Sequence, residues 1–184
     1  HVHNEAYYRL GLGRLALARG QVDVARKEVQ TACDQFRELG DPSVLAVSLS
    51  WLGFIHLQTG DWEAAHRLSS EAVAQMEALG DISWDYPPQD VWWLHYQILR
   101  AAPASGSVRQ GKAGRSSTTS RGPELDFGQL TDTYAWMVLQ RARQVALSGI
   151  ANLSDEGLRR NYLNKVEINR QIIAEWVQGA AARG

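Results

Sequence analysis

The chain has 184 residues, with 19 Lys and Arg against 20 Asp and Glu, and a formal net charge of −1. At 45% hydrophobic and 21% charged residues it carries enough apolar material for a packed core, which excludes disorder along its whole length. The near-balanced charge argues against a dedicated nucleic-acid binder, and a single cysteine, Cys33, excludes an intrachain disulfide framework. Cys33 falls in an amphipathic stretch and reads as a small core residue rather than a reactive thiol. The chain opens on His1 without a basic segment leading into an apolar run. It is therefore expected to be a piece of a longer protein, without a signal peptide here.

In chain order, the first predicted helix carries Ala6, Leu10, Gly13 and Leu17 at helical spacing and stops at Gly20. A second carries Val22, Ala25, Val29, Ala32, Phe36 and Leu39 and stops at Gly40. Asp41-Pro42 is a start signal, because proline is tolerated at the first helical position. The third helix then shows Leu49, Leu52, Gly53, Ile55 and Leu57 before Gly60. Residues 42–60 hold no charged side chain and approach the ~20 positions of a membrane span. Ser43, Ser48, Ser50, His56, Gln58 and Thr59 make a buried helix the better reading. Asp61 is a suitable cap for the fourth helix, with Glu63 in its first turn and Ala65, Leu68, Ala72, Met76 and Leu79 on its apolar side.

These four helices are two copies of one unit, offset by 40 residues. Ala6 matches Ala46, Leu12 matches Leu52, Gly13 matches Gly53, Leu17 matches Leu57 and Gly20 matches Gly60. Ala25 matches Ala65, Ala32 matches Ala72 and Gln35 matches Gln75. Leu39-Gly40-Asp41 matches Leu79-Gly80-Asp81, and Ser43 matches Ser83. That makes twelve identities over 38 positions, where average residue usage gives roughly two or three.

Leu12-Gly13, Gly20, Ala25 and Ala32, and again Leu52-Gly53, Gly60, Ala65 and Ala72, resemble the tetratricopeptide repeat. The helix-A tyrosine of that pattern is replaced by Ala16 and His56, the final proline is absent, and the period is longer. The longer period resembles the repeats of bacterial signalling and transcription regulators of the signal-transduction ATPase kind. Leu158-Arg159-Arg160-Asn161-Tyr162-Leu163 with Asn169-Arg170 is similar to the end of such arrays. The resemblance implies an all-α fold of about seven helices, with antiparallel hairpins stacked as a right-handed superhelix. It implies one domain over 1–178: repeats about 5–41 and 42–81, a degenerate third over 84–151, a capping helix over 155–178, and a tail over 179–184.

Residues 91–100 read as one more helix, but the glycine that should close it falls on Arg100. From 103 to 123 the periodicity vanishes; Arg109, Lys112, Arg115 and Arg121 stand there with no carboxylate. A flexible basic insert, an anion-binding segment and a local frameshift are the three readings of this stretch. Helical pattern resumes at Leu130, with Thr131 or Asp132 as cap and Ala135, Val138, Leu139, Ala142, Val145 and Ala146 on the buried side to about Ala151. Ser154, Asp155 and Glu156 open the last helix, with Leu158, Tyr162, Val166, Asn169, Ile173 and Trp176 down one side.

No catalytic motif stands out, and neither a metal site nor a cofactor is expected. His1, His3, His56, His66 and His95 form no local ligand pair. The expected role is a non-catalytic, cytoplasmic protein-interaction module with a protein or peptide partner. Neither specific nucleic-acid binding nor membrane insertion is expected. If groove positions carry over from the repeat family, Tyr7, Arg14, Ser50, Phe54, Gln58, Asp90 and Leu94 line a concave face, with Leu10, Ala18, Val47 and Ile98 at matching places. The alternative is a small-molecule sensor using the aromatic cluster of Trp84, Tyr86, Trp92, Trp93 and Tyr96 as a stacking platform.

Overall fold

A computed structural model of the chain describes residues 2–81, 86–103 and 127–184. Trp84 and all of the basic insert after Pro103 lie outside the described residues. Among the described residues the fold is all-α, with eight helices and no strand. They are α1 (Val2–Ala18), α2 (Val22–Leu39), α3 (Pro42–Gln58), α4 (Trp62–Ala78), α5 (Gln89–Arg100), α6 (Phe127–Ala151), α7 (Glu156–Asn164) and α8 (Glu167–Ala181). None of them is long and apolar enough to cross a membrane, the uncharged α3 included.

The first four helices end the same way. Gly20, Gly40, Gly60 and Gly80 all have positive φ, between 67° and 80°. At each, the residue after the glycine donates its N–H back into the last turn: Gln21 to Ala16, Asp41 to Phe36, Asp61 to His56 and Asp81 to Met76, at 2.9–3.1 Å. The glycine N–H donates to the carbonyl three residues back, as in Gly60 to Leu57 at 3.0 Å. This double closure satisfies carbonyls that the helix end leaves open and turns the chain sharply. Two of the following aspartates then start the next helix: Asp41 accepts from the Val44 N–H and Asp61 from the Ala64 N–H.

Within each hairpin the helices touch at the glycine of the Leu-Gly pair. A Cβ at Gly13 would come within 2.3 Å of Val29 Cγ2, and one at Gly53 within 2.9 Å of the Ala65 carbonyl oxygen. α3 packs against α2, α4 and α5, so it is buried on most sides. Ser48 and Ser50 survive there because their hydroxyls donate to the Val44 and Val47 carbonyls of the same helix. Cys33 is also in the core, where burial pushes its thiol up to about 12 and keeps it protonated.

α5 is enclosed by α3, α4, α6 and α8. Most of its polar groups are tied to the elements around it, while His95 Nε2 is buried without a hydrogen-bond partner. Gln89 donates to the Tyr162 hydroxyl at 2.8 Å and to Asn169 Oδ1 at 2.9 Å. The Trp92 indole N–H donates to Asp81 at 2.7 Å, and the Tyr96 hydroxyl donates to Glu175 at 2.7 Å. His95 Nδ1 pairs with the Ser69 hydroxyl at 2.8 Å, and the Ile98 carbonyl accepts from the Trp62 indole at 2.8 Å.

The second half departs from the sequence reading in two ways. α6 starts at Phe127, so Thr131 and Asp132 lie inside it rather than capping it, and Asp132 pairs with Arg100 at 2.9 Å. The buried side of α6 is as read: Ala135, Val138, Leu139, Ala142, Val145 and Ala146. The expected single last helix is two, interrupted at Lys165–Val166, with Asp155 capping the first through the Leu158 N–H. The interruption turns the apolar side: Leu158 is exposed, while Asn169 and Ile172 are buried against the rest.

The two kinds of glycine separate in mutagenesis. Gly60→Ala meets open space but must hold a left-handed backbone, and should lower unfolding free energy by about 1–2 kcal/mol. Gly53→Ala drives a methyl into α4 backbone and should cost about 1–3 kcal/mol. Gly60→Asn should recover part of the first loss, and Gly53→Asn none of the second. Chemical denaturation of the four variants checks this.

Candidate functional site

Between α1 and α3 lies an open groove of about 560 Å³, lined by Arg14, Leu15, Leu17, Ala18, Trp51, Phe54 and Gln58. It lies within the size range of small-ligand and side-chain pockets. Its walls are mostly carbon. The Trp51 and Phe54 rings meet edge to face, with centroids 6.2 Å apart at 89°. The Arg14 guanidinium sits 4.6 Å from the Trp51 ring centroid and 5.7 Å from that of Tyr86, an arrangement that favours the cation over the ring faces.

Beneath Arg14 lies Asp90, in the first turn of α5, with one carboxylate oxygen 3.9 Å from the guanidinium. Burial pushes the Asp90 carboxyl up to about 6, and Arg14 partly offsets that rise. The contact is too long to be a hydrogen bond, so it acts as an ion pair that holds Arg14 down. Tyr86 extends the line of rings. It stacks on Tyr7 with centroids 6.0 Å apart at 9°, and Tyr7 in turn meets Phe36 edge-on at 5.1 Å.

The sequence-predicted groove residues therefore divide. Arg14, Phe54, Gln58 and Ala18 do line one groove. Tyr7 joins it through Tyr86 rather than from the wall. Ser50, Asp90 and Leu94 are buried, as are Leu10, Val47 and Ile98, and none presents a surface to a partner. The physical reason is α5: it packs among α3, α4, α6 and α8, so the third place in the expected concave line is buried. Trp51, Leu15 and Leu17 were not among the predicted residues. Trp51 has Gly11 as its repeat equivalent, so matching the copies could not single it out.

The aromatic cluster does not form one platform. Trp92, Trp93 and Tyr96 are 3%, 5% and 7% exposed, because α5 is enclosed on all sides rather than lying along one edge. The Trp93 and Tyr96 rings stack on each other at 5.5 Å. Tyr86 lies beside Arg14 instead, and Trp84 lies outside the described residues. Among the described residues no group of three His, Cys, Asp or Glu could hold a metal ion.

Compared with known proteins, the chain matches no family model, and no curated protein or solved structure matches it significantly.

Asp90 and His95 oppose each other on acidification. Burial, followed by the charge of His66, lowers His95 from its ordinary 6.5 to about 4. Its stabilising contribution is present above pH 6.5 and is lost as pH falls through about 4. Asp90 is raised from 3.8 to about 6. Its contribution is full below 3.8 and is lost as pH rises through about 6, so it favours the fold on acidification where His95 disfavours it. Asp90→Asn should therefore lose stability more steeply than the parent chain between pH 6 and 4, whereas His95→Gln should gain stability over that range. Parallel slopes in urea titrations of all three proteins would show that these groups do not set the profile.

Proposed function

We propose that this chain is a protein-interaction module, with the α1–α3 groove as its binding face. The observation that carries the reading is the groove itself: apolar walls, two aromatic rings and one cation over the Trp51 ring. Such a surface suits an amphipathic peptide or helix that inserts one large apolar side chain. Arg14 makes no hydrogen bond among the described residues, so its N–H groups are available to a carbonyl or hydroxyl of the bound segment. The repeated hairpins support a tetratricopeptide-like array, of the long-repeat type used in bacterial signalling or transcription regulators. In that setting the chain acts as the non-catalytic docking arm of a larger cytoplasmic protein.

A second reading, small-molecule sensing, rests on a separate cavity of about 360 Å³. Trp92 reaches it beside Tyr134, Met137 and Arg141. It is lined mainly by α6, and it shares none of its walls with the groove.

Selection of amphipathic peptides against the chain, followed by titration of the winners, distinguishes the two. Phe54→Ala and Trp51→Ala should each weaken the selected peptides by about tenfold or more. Met137→Ala should leave them unchanged. Peptides indifferent to Phe54 and Trp51 would rule out the groove.

A further inference from the structure

The two copies of the repeat differ on one face. On α1, Tyr8, Leu12 and Leu15 are 72%, 55% and 46% exposed. Their equivalents on α3, Ser48, Leu52 and Ile55, are at most 1% exposed. Leu12 and Leu52 are the same residue in the same place of the repeat, one in water and one in the core. Large apolar side chains at spacings of four and three form a stripe of the kind helices bury.

Gly11 sits in the middle of that stripe. It is exposed, and a Cβ there would meet nothing within 4 Å. Glycine is poorly favoured inside a helix, and nothing in the packing of α1 requires it here. What it leaves is a gap beside Leu12.

We propose that this face pairs with the same face of a second copy of the chain, α1 antiparallel to α1, about a two-fold axis passing between Gly11 and Leu12. The stripe is self-complementary about that point. Leu12 of one copy fills the gap at Gly11 of the other, and Tyr8 of one meets Leu15 of the other. At the ends, Glu5 of one copy falls beside Ala18 and Arg19 of the other. Arg19 has no ion-pair partner among the described residues, and Glu5 already carries Arg9 at 2.8 Å. Opposite charges thus meet at both ends of the pair, and the antiparallel helix dipoles agree with this orientation. A parallel arrangement would set Glu5 against Glu5 and Tyr8 against Tyr8. The two-fold closes on itself, so association stops at the dimer. Leu15 also borders the α1–α3 groove, so the pair places two grooves side by side.

Sedimentation velocity of the chain across micromolar to near-millimolar concentration tests the proposal. A monomer–dimer equilibrium is expected, with no larger species. Gly11→Leu fills the gap without touching the monomer core and should weaken the dimer by about tenfold or more, and Leu12→Glu should do the same. Glu5→Arg and Arg19→Glu should each weaken it, and the two together should restore it. Circular dichroism confirms that the variants stay helical. A monomer at every concentration, a dimer indifferent to Gly11→Leu and Leu12→Glu, or continued growth past the dimer would each overturn it.

Discussion

The structure depends on one helix that has no free side. α5 has α3, α4, α6 and α8 around it, and a helix enclosed in this way must satisfy its polar groups internally. It does so residue by residue, with His95 Nε2 the one exception among these groups. Gln89 reaches Tyr162 and Asn169, Asp90 reaches Arg14, Trp92 reaches Asp81, His95 reaches Ser69 and Tyr96 reaches Glu175. The tethers reach α1, α4, the turn after α4, α7 and α8. One of them reaches the groove: Asp90 lies 3.9 Å from Arg14, whose guanidinium sits over the Trp51 ring.

The repeat builds the first half and then lends a part to the second. Asp41, Asp61 and Asp81 follow left-handed glycines and occupy the same place in their copies. Two of them cap the next helix. Asp81 has φ of 59° and instead accepts from Trp92 while pairing with Arg141 of α6. A residue that begins a helix in the regular part of the chain becomes the fastening for two helices where regularity stops. At the far end, Trp136 and Trp176 stack between Arg183 and Arg143, which joins α6 to α8 by rings and guanidinium groups.

Much of this was legible in the residues. Glycines every twenty positions, aspartates after them and small residues at fixed places are local signals, and they located the four helix ends and most of the buried sides of α1 to α4, although Leu39 is exposed. The apolar face of α6 was equally plain from spacing. What the pattern could not show was the number of neighbours a helix has. Trp92, Trp93 and Tyr96 read as parts of a stacking platform; all three are buried because α5 is covered by its neighbours. Asp90 and Leu94 fall on the expected concave line, yet they are buried for the same reason. The break at Lys165–Val166 was missed because the apolar spacing runs through it without a proline or glycine to mark it. Trp51 was missed because its counterpart in the other copy is a glycine.

Native-state hydrogen exchange of the α5 amides tests the central role of that helix most directly. If α5 is the element on which the others are assembled, its amides exchange as slowly as those of α3 and only through global unfolding. Gln89→Ala, which removes the tether to Tyr162 and Asn169, then speeds exchange in α7 and α8 while α5 stays protected. Early exchange of α5 together with α7 and α8 in the parent chain, with α1 to α4 remaining protected, would contradict the account.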